Sequence, residues 1–303
     1  MHYMKTSEKK VLLTGGTGLI GKEAVEPLLA SGFDVHLVST KQRGELEGLV
    51  KTVEADLLDL ASISHIFRKV KPDYLLHFAW IASGDYLVSP DNFKWLASSM
   101  EMLKALKENG GKRAVFAGTC FEYEFKEQAL KENDKLNPST IYAQCKAGLY
   151  RQAREYSLQS DLSFGWGRIF YVLGHGEFEK RLVPSVISSL KKGQHVSVSR
   201  GLERDYMYTR DVAAAFVKFL DSDVQGAVNI CRGEGVLIEE LARSLARKLG
   251  REDLVDTLEP VGQPPIIVGD NTRLFREVGY RCRFSLAEAL ERVYAGYFGE
   301  NSM

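Results

Sequence analysis

Tyr142 and Lys146 stand four residues apart in Tyr142-Ala143-Gln144-Cys145-Lys146, a spacing that puts both side chains on one face of a helix. There the ammonium can lower the phenol's pKa and prepare it to exchange a proton. Such a string alone is common in unrelated chains, so its meaning comes from its surroundings. Upstream, Thr119 follows the run Ala114-Val115-Phe116-Ala117-Gly118, and a hydroxyl at that strand end offers a second donor to the oxygen the phenol serves. Cys145 adjoins Lys146 but cannot share its face, so a nucleophilic role is not assigned to it.

Thr14-Gly15-Gly16-Thr17-Gly18-Leu19-Ile20-Gly21 lies between the strand-like Val11 to Leu13 and a helical stretch with Ala24, Leu28 and Leu29 on one side. A strand turning into a helix offers free amide N–H groups and the positive end of a helix dipole to an anion. The spacing matches G-x-G-x-x-G directly after a first strand, which reads as a dinucleotide site. Gly16-x4-Gly21-Lys22 also begins an NTPase loop. The next residue is Glu23 where that loop needs Ser or Thr for magnesium, so the NTPase reading is rejected. The second strand ends at Ser39, with Lys41 and Arg43 just beyond. A neutral tip with nearby cations favours a 2′-phosphate, hence NADP, over the NAD that an acidic tip would serve. Together these residues suit proton exchange with a sugar hydroxyl or carbonyl while hydride moves to or from a nicotinamide.

The elements needed to position these groups are legible as an alternation. Lys10–Thr14, Asp34–Ser39, Thr52–Ala55, Tyr74–Ala79 and Arg113–Ala117 read as strands. Gly21–Ser31, Ala61–Lys71 and Asn92–Gly110 read as helices, the last with Phe93, Leu96, Met100, Leu103 and Leu106 as its core face. The rhythm predicts an α/β, doubly wound parallel sheet. Past residue 170 it loosens into helices at Leu182–Leu190, Leu237–Leu249 and Leu286–Tyr297 and a strand at His195–Ser199. The expected division is a nucleotide-binding domain over 1–170, to which 201–230 returns, and a smaller substrate-binding lobe over 171–200 and 231–303.

The 303 residues carry 40 Lys+Arg and 40 Asp+Glu, which argues against charge-driven binding of nucleic acid or of a polybasic membrane contact. An apolar fraction of 45% supports a folded core rather than disorder. Tyr74 to Ala82, the longest apolar stretch, is broken by His77 and is too short to span a bilayer. Cys120, Cys145, Cys231 and Cys282 show no metal-ligand spacing and read as reduced thiols of a cytoplasmic protein. The polar Met1–Lys10 shows no signal peptide. His175 and His195 read as surface or substrate-adjacent residues, not as metal ligands.

Several further strings carry a resemblance. They are Thr119-Cys120-Phe121-Glu122-Tyr123, with its hydroxyl residue four before a tyrosine, Ala55-Asp56-Leu57, His77-Phe78-Ala79, Gly167-Arg168-Ile169-Phe170-Tyr171, and Arg204-Asp205-Tyr206-Met207-Tyr208-Thr209-Arg210-Asp211-Val212. With the glycine loop and Tyr142/Lys146, they make the chain resemble the extended short-chain dehydrogenase/reductase family over about residues 10–295. Members of that family act mostly on nucleotide sugars. The resemblance implies Thr119, Tyr142 and Lys146 as catalytic residues. Thr119 would bond the reacting oxygen, Tyr142 would be the acid/base, and Lys146 would hold ribose and tune the phenol.

By the same resemblance the cofactor would meet Gly15, Thr17, Gly18, Leu19, Ile20, Gly21, Ser39, Lys41, Arg43, Asp56, Leu57, Phe78 and Ala79, besides Tyr142 and Lys146. Trp80, Tyr86, Thr119, Cys120, Tyr171 and Arg204 would meet the substrate, with Tyr171 standing where the family has Asn. A homodimer built from helix 92–110 and the helix of Tyr142 is implied as well. A sugar 4,6-dehydratase needs an acid and a base after the hydroxyl residue, and Cys120-Phe121 supplies neither. The Ser39, Lys41, Arg43 tip points to NADP-dependent reduction of a 4-keto-6-deoxy nucleotide sugar, and residues 118–123 are also similar to synthases of the CDP-abequose type. The alternatives are a 4-epimerase retaining NAD and, in another class, a non-catalytic NADP sensor or scaffold.

Overall fold

In Lys9–Thr14 (β1), Val11 and Leu13 join one hydrophobic cluster while Leu12 joins another, the alternation of a strand covered on both faces. The computed structural model describes residues 9–40, 48, 50–82 and 84–298. β1 lies inside a seven-stranded sheet with β2 (Phe33–Ser39), β3 (Lys51–Glu54), β4 (Tyr74–His77), β5 (Arg113–Thr119) and β6 (Ser163–Ile169). The shorter β7 (Tyr171–Leu173), β8 (Val196–Ser199), β9 (Glu203–Arg204) and β10 (Tyr206–Tyr208) lie outside it, and β11 (Gly226–Ile230) completes it beside β6. The order is β11-β6-β5-β4-β1-β2-β3, and every pairing is parallel. This is the doubly wound sheet that the alternation predicts. Strand order reverses between β1 and β4, whose carboxyl ends border the crevice where such sheets take ligands.

Five helices cover the two faces, α1 (Val25–Ala30), α2 (Leu60–Val70), α3 (Asp91–Glu108), α4 (Ile141–Gln159) and α6 (Thr209–Leu220), while α5 (Leu182–Lys191) is set apart. α1 and α6 pack on one face, and α2, α3 and α4 on the other. α5 joins α7 (Ile238–Lys248) and α9 (Leu286–Phe298) in a separate core with Val196, Val198 and Tyr206. The pairs β7·β10 and β8·β13 (Val255–Leu258) and the three strands β12 (Val236–Leu237), β9 and β14 (Ile266–Ile267) form small sheets there. After α8 (Thr272–Arg276), Val278 and Tyr280 pack against the main sheet's core. Among the described residues no helix is long and apolar enough to cross a membrane.

Two elements differ from the sequence reading. The stretch 21–31 is divided into a 3-10 turn, Gly21–Ala24, and the short α1. On α3 the stripe from Phe93 is not wholly a core face: Leu103 and Leu106 are buried, but Phe93 is 59% exposed. Ser98 and Ser99 are buried instead, because Ser98 donates to the Leu57 carbonyl and Ser99 bonds His77. Polar side chains enter that face where the sheet offers them partners.

Candidate active site

The loop after β1 is shaped by contacts that only glycine allows. Gly15 has φ +69°, and a Cβ there would lie 2.6 Å from the Ala79 nitrogen. A Cβ on Gly21 would collide with the Gly15 carbonyl, and the Gly18 amide donates to that same oxygen at 2.9 Å. The loop therefore lies directly against the segment leaving β4 and keeps its backbone bare. Below it, Thr14 Oγ1 bonds His77 Nδ1 at 2.6 Å. Burial holds the His77 imidazole well below its usual pKa, and the Lys146 charge adds to this.

β5 delivers Thr119, and the chain then turns through the 3-10 segment Cys120–Glu122. α4 begins at a Thr140 cap whose Oγ1 accepts the Ala143 amide at 3.2 Å. The Tyr142 amide donates to the Leu87 carbonyl at 3.0 Å, tying this first turn to the β4–α3 loop. There the Tyr86 ring meets Tyr142 edge to face at 5.0 Å. Lys146, one helical turn on, is buried and donates to the Ala117 carbonyl at 2.8 Å.

The packing around Tyr142 acts on its phenol in both directions. Burial raises the phenol above its usual range, Tyr86 adds to the rise, and the neighbouring Thr119 hydroxyl opposes it. Lys146 itself is brought down to about 7 by burial, against the opposing pull of Glu122.

One cavity of about 830 Å³ joins these groups. It is lined by Gly15, Thr17, Gly18, Leu19, Ile20 and Gly21 of the loop, by Ser39, Asp56 and Leu57 near the tips of β2 and β3, and by Phe78, Ala79, Trp80 and Tyr86 after β4. Thr119, Cys120, Tyr142, Lys146 and Tyr171 also line it. Lys41 and Arg43 lie outside the described residues. Arg204 is not among the lining residues. It is buried behind Tyr171, 5.8 Å from that ring's centre, and donates to the Glu203 and Pro265 carbonyls at 2.9 and 3.1 Å. Neither Asp205 nor Asp211 pairs with it. Asp205 caps the Arg232 and Gly233 amides, and Asp211 accepts from Tyr280 and the Arg283 amide.

Sequence reasoning passed over three features of this site. Glu122 and Arg168 form a buried pair at 2.8 Å beneath Thr119. Arg181 lines the cavity and donates to the Tyr86 hydroxyl at 3.0 Å. Glu177 also lines it, accepts the Gly174 amide at 2.9 Å, and is pushed up to about 7 by burial. Arg181 and Glu177 sit in an irregular loop with no periodic pattern. Only the concentration of charge in Glu177-Phe178-Glu179-Lys180-Arg181 marks that stretch.

The cradle fits a dinucleotide: a glycine-rich loop at the carboxyl end of β1, opening into a cavity that continues to a phenol. Comparison with known proteins bears on the same residues. The model of the NAD dependent epimerase/dehydratase family matches residues 11–231. The chain belongs to that family. A UDP-glucose 4-epimerase of Lacticaseibacillus casei is 25% identical over 303 residues, covering 89% of this chain and 91% of that protein. Among solved structures, the UDP-glucose 4-epimerase of Thermus thermophilus, in complex with NAD, superposes with a TM-score of 0.84. It is 25% identical and covers 96% of this chain and 99% of its own. The UDP-glucose 4-epimerase of Thermotoga maritima, solved with UDP-glucose, gives 0.85 at 23% identity, covering 95% and 98%. This epimerase/dehydratase family member is accordingly an enzyme with an NAD(P) dinucleotide cofactor and an α/β fold like those epimerases.

Proposed function

We propose that the chain is a nucleotide-sugar 4-epimerase that retains NAD. The observation that carries this reading is that Tyr142, Thr119 and Lys146 share one cavity with the glycine loop. The 4-epimerases that resemble it over most of the chain support the choice. Gly15, Thr17, Gly18, Leu19, Ile20 and Gly21 would hold the pyrophosphate, Ser39, Asp56 and Leu57 the adenosine, and Phe78, Ala79 and Lys146 the nicotinamide ribose. When bound there, NAD would supply the acceptor and donor of hydride.

Tyr142 takes the proton of the sugar hydroxyl as a phenolate and gives it back as the phenol, while Thr119 donates to the same oxygen. Lys146 brings positive charge to that end. Trp80, Tyr86 and Phe121 line the cavity and keep water from the reacting oxygen. Inversion requires the ketone to present its other face before hydride returns. Dehydration fits less well, since Cys120 and Phe121 follow Thr119. Phe121 carries no transferable proton, and burial pushes the Cys120 thiol far up.

Reduction by NADPH is the second reading, favoured by Ser39, a neutral residue, at the tip of β2. The likeness of residues 118–123 to CDP-abequose-type synthases is not shared by the relatives named above, which are 4-epimerases. A homodimer through α3 and α4 and a division into nucleotide and sugar lobes belong to the same proposal. Denaturing the purified protein and identifying the released nucleotide by mass spectrometry tests the cofactor. Incubation with UDP-glucose and UDP-galactose should interconvert them with no net change in nicotinamide. Stoichiometric NADPH consumption with a 4-keto-6-deoxy nucleotide sugar, and no interconversion, would establish the reductase instead.

A further inference from the structure

The Glu122 carboxylate is wholly buried and accepts three donors. Oε1 takes the Thr119 amide at 2.8 Å and the Trp166 indole at 3.0 Å, while Oε2 takes Arg168 Nε at 2.8 Å. Arg168, 1% exposed, also donates to the Tyr123 hydroxyl and the Glu132 carbonyl, both at 3.0 Å. An ion pair this deep is a poor source of stability, because apolar residues of similar volume would fill the space without its desolvation cost.

Its geometric effect is local. The Thr119 amide donates to Glu122 while the Thr119 hydroxyl accepts the Phe121 amide at 3.3 Å, a reciprocal cap that fixes the turn. Gly118 makes the room, since a Cβ there would lie 2.6 Å from Glu122 Oε1 and strike the Trp166 indole.

We propose that Glu122, locked by Arg168 and Trp166, is a positioning residue that holds the Thr119 hydroxyl against the Tyr142 phenol. The inference rests on reading Tyr142 and Thr119 as the proton-handling pair. Replacing both partners by apolar residues, Glu122→Leu with Arg168→Met, removes the pair without stranding a charge. That double variant should melt within a few degrees of the parent and bind NAD within about twofold. Its kcat for UDP-sugar epimerisation should fall about tenfold, with KM nearly unchanged. In a Thr119→Val background the same double change should cost less than about twofold more, because the hydroxyl it positions is gone. Undiminished kcat in the double variant, or a full second loss on top of Thr119→Val, would overturn the proposal. Should the double variant not fold, Glu122→Gln is read through the same cycle.

If the parent protein converts no nucleotide sugar, the proposed function fails, and positioning is read from the phenol itself. Tyr142 can be titrated by ¹³C-tyrosine NMR, with Tyr142→Phe as the assignment. The groups facing it are Tyr86 from the β4–α3 loop, Thr119, Cys120 and Glu122 from the turn, and Lys146 on its own helix. Loss of the Glu122 charge alone would move the titration down, whereas displacement of the Thr119 hydroxyl moves it up. An upward shift in the double variant supports positioning, and no shift or a downward one refutes it.

Discussion

The Lys146 ammonium lies 3.7 Å from the centre of the Trp80 indole and donates to the Ala117 carbonyl at 2.8 Å. Trp80 is itself anchored, its Nε1 donating to Asn92 Oδ1 at 2.7 Å. The cation is therefore held by an aromatic face and one carbonyl at a buried position.

Stability should respond to pH through this residue. Burial sets the folded pKa at about 7, against a usual 10.5 for the unfolded chain. Below about pH 7 both states carry the proton and the fold bears the whole cost of the buried charge. Between about 7 and 10.5 the unfolded chain binds a proton that the fold has released, so this contribution to stability rises with pH. Calorimetry of the parent against Lys146→Met should show the difference moving in the parent's favour by a few kcal/mol from pH 7 to pH 10. A flat difference would contradict the buried placement.

Tyr142→Phe keeps the ring and removes the transferable proton. Turnover should fall about a hundredfold or more, with dinucleotide affinity within about twofold. Thr119→Val should cost about tenfold to a hundredfold, and Lys146→Ala should lower both affinity and turnover. Single-turnover kinetics alongside titration calorimetry separate these effects.

Gly15→Ala would force an L residue to φ +69° and drive its Cβ onto the Ala79 backbone. The left-handed conformation alone costs about 1–2 kcal/mol. The melting temperature should drop by several degrees and dinucleotide binding by at least about tenfold, measured by thermal melts and calorimetric titration.

If the proposed dimer forms through α3 and α4, Phe93, 59% exposed on α3, and Leu158, 61% exposed on α4, become covered. Sedimentation at micromolar concentration should show a dimer for the parent and a monomer for Phe93→Glu. An unaltered dimer in that variant would move the interface elsewhere.

Much of the nucleotide half could be read from the chain because its signals are local. The glycines, the aliphatic strands and the four-residue step from Tyr142 to Lys146 each act within a few residues of one another. β6 is absent from the strands read in the sequence, its apolar run being broken by Gly165 and Gly167. They are glycine because Phe219 and Phe216 of α6 press onto the strand at those points. Glu122 and Arg168 could not be paired in advance, for only the alignment of β5 with β6 brings them together. The α3 stripe misled for a related reason. Apolar spacing ranks faces by hydrophobicity, whereas Ser98 and Ser99 are buried by specific partners on other elements.

Asn229 on β11 accepts the Tyr123 hydroxyl at 2.6 Å, its side chain donates to the Leu130 carbonyl at 2.7 Å, and its amide donates to Glu132 at 2.8 Å. During synthesis β11 emerges long after the turn it braces, and until then β6 is a bare sheet edge. The glycine loop, β1, β2 and β4 can assemble on the nascent chain well before that brace arrives. The segment that carries Thr119 thus gains its Asn229 brace only when the last strand of the main sheet is in place.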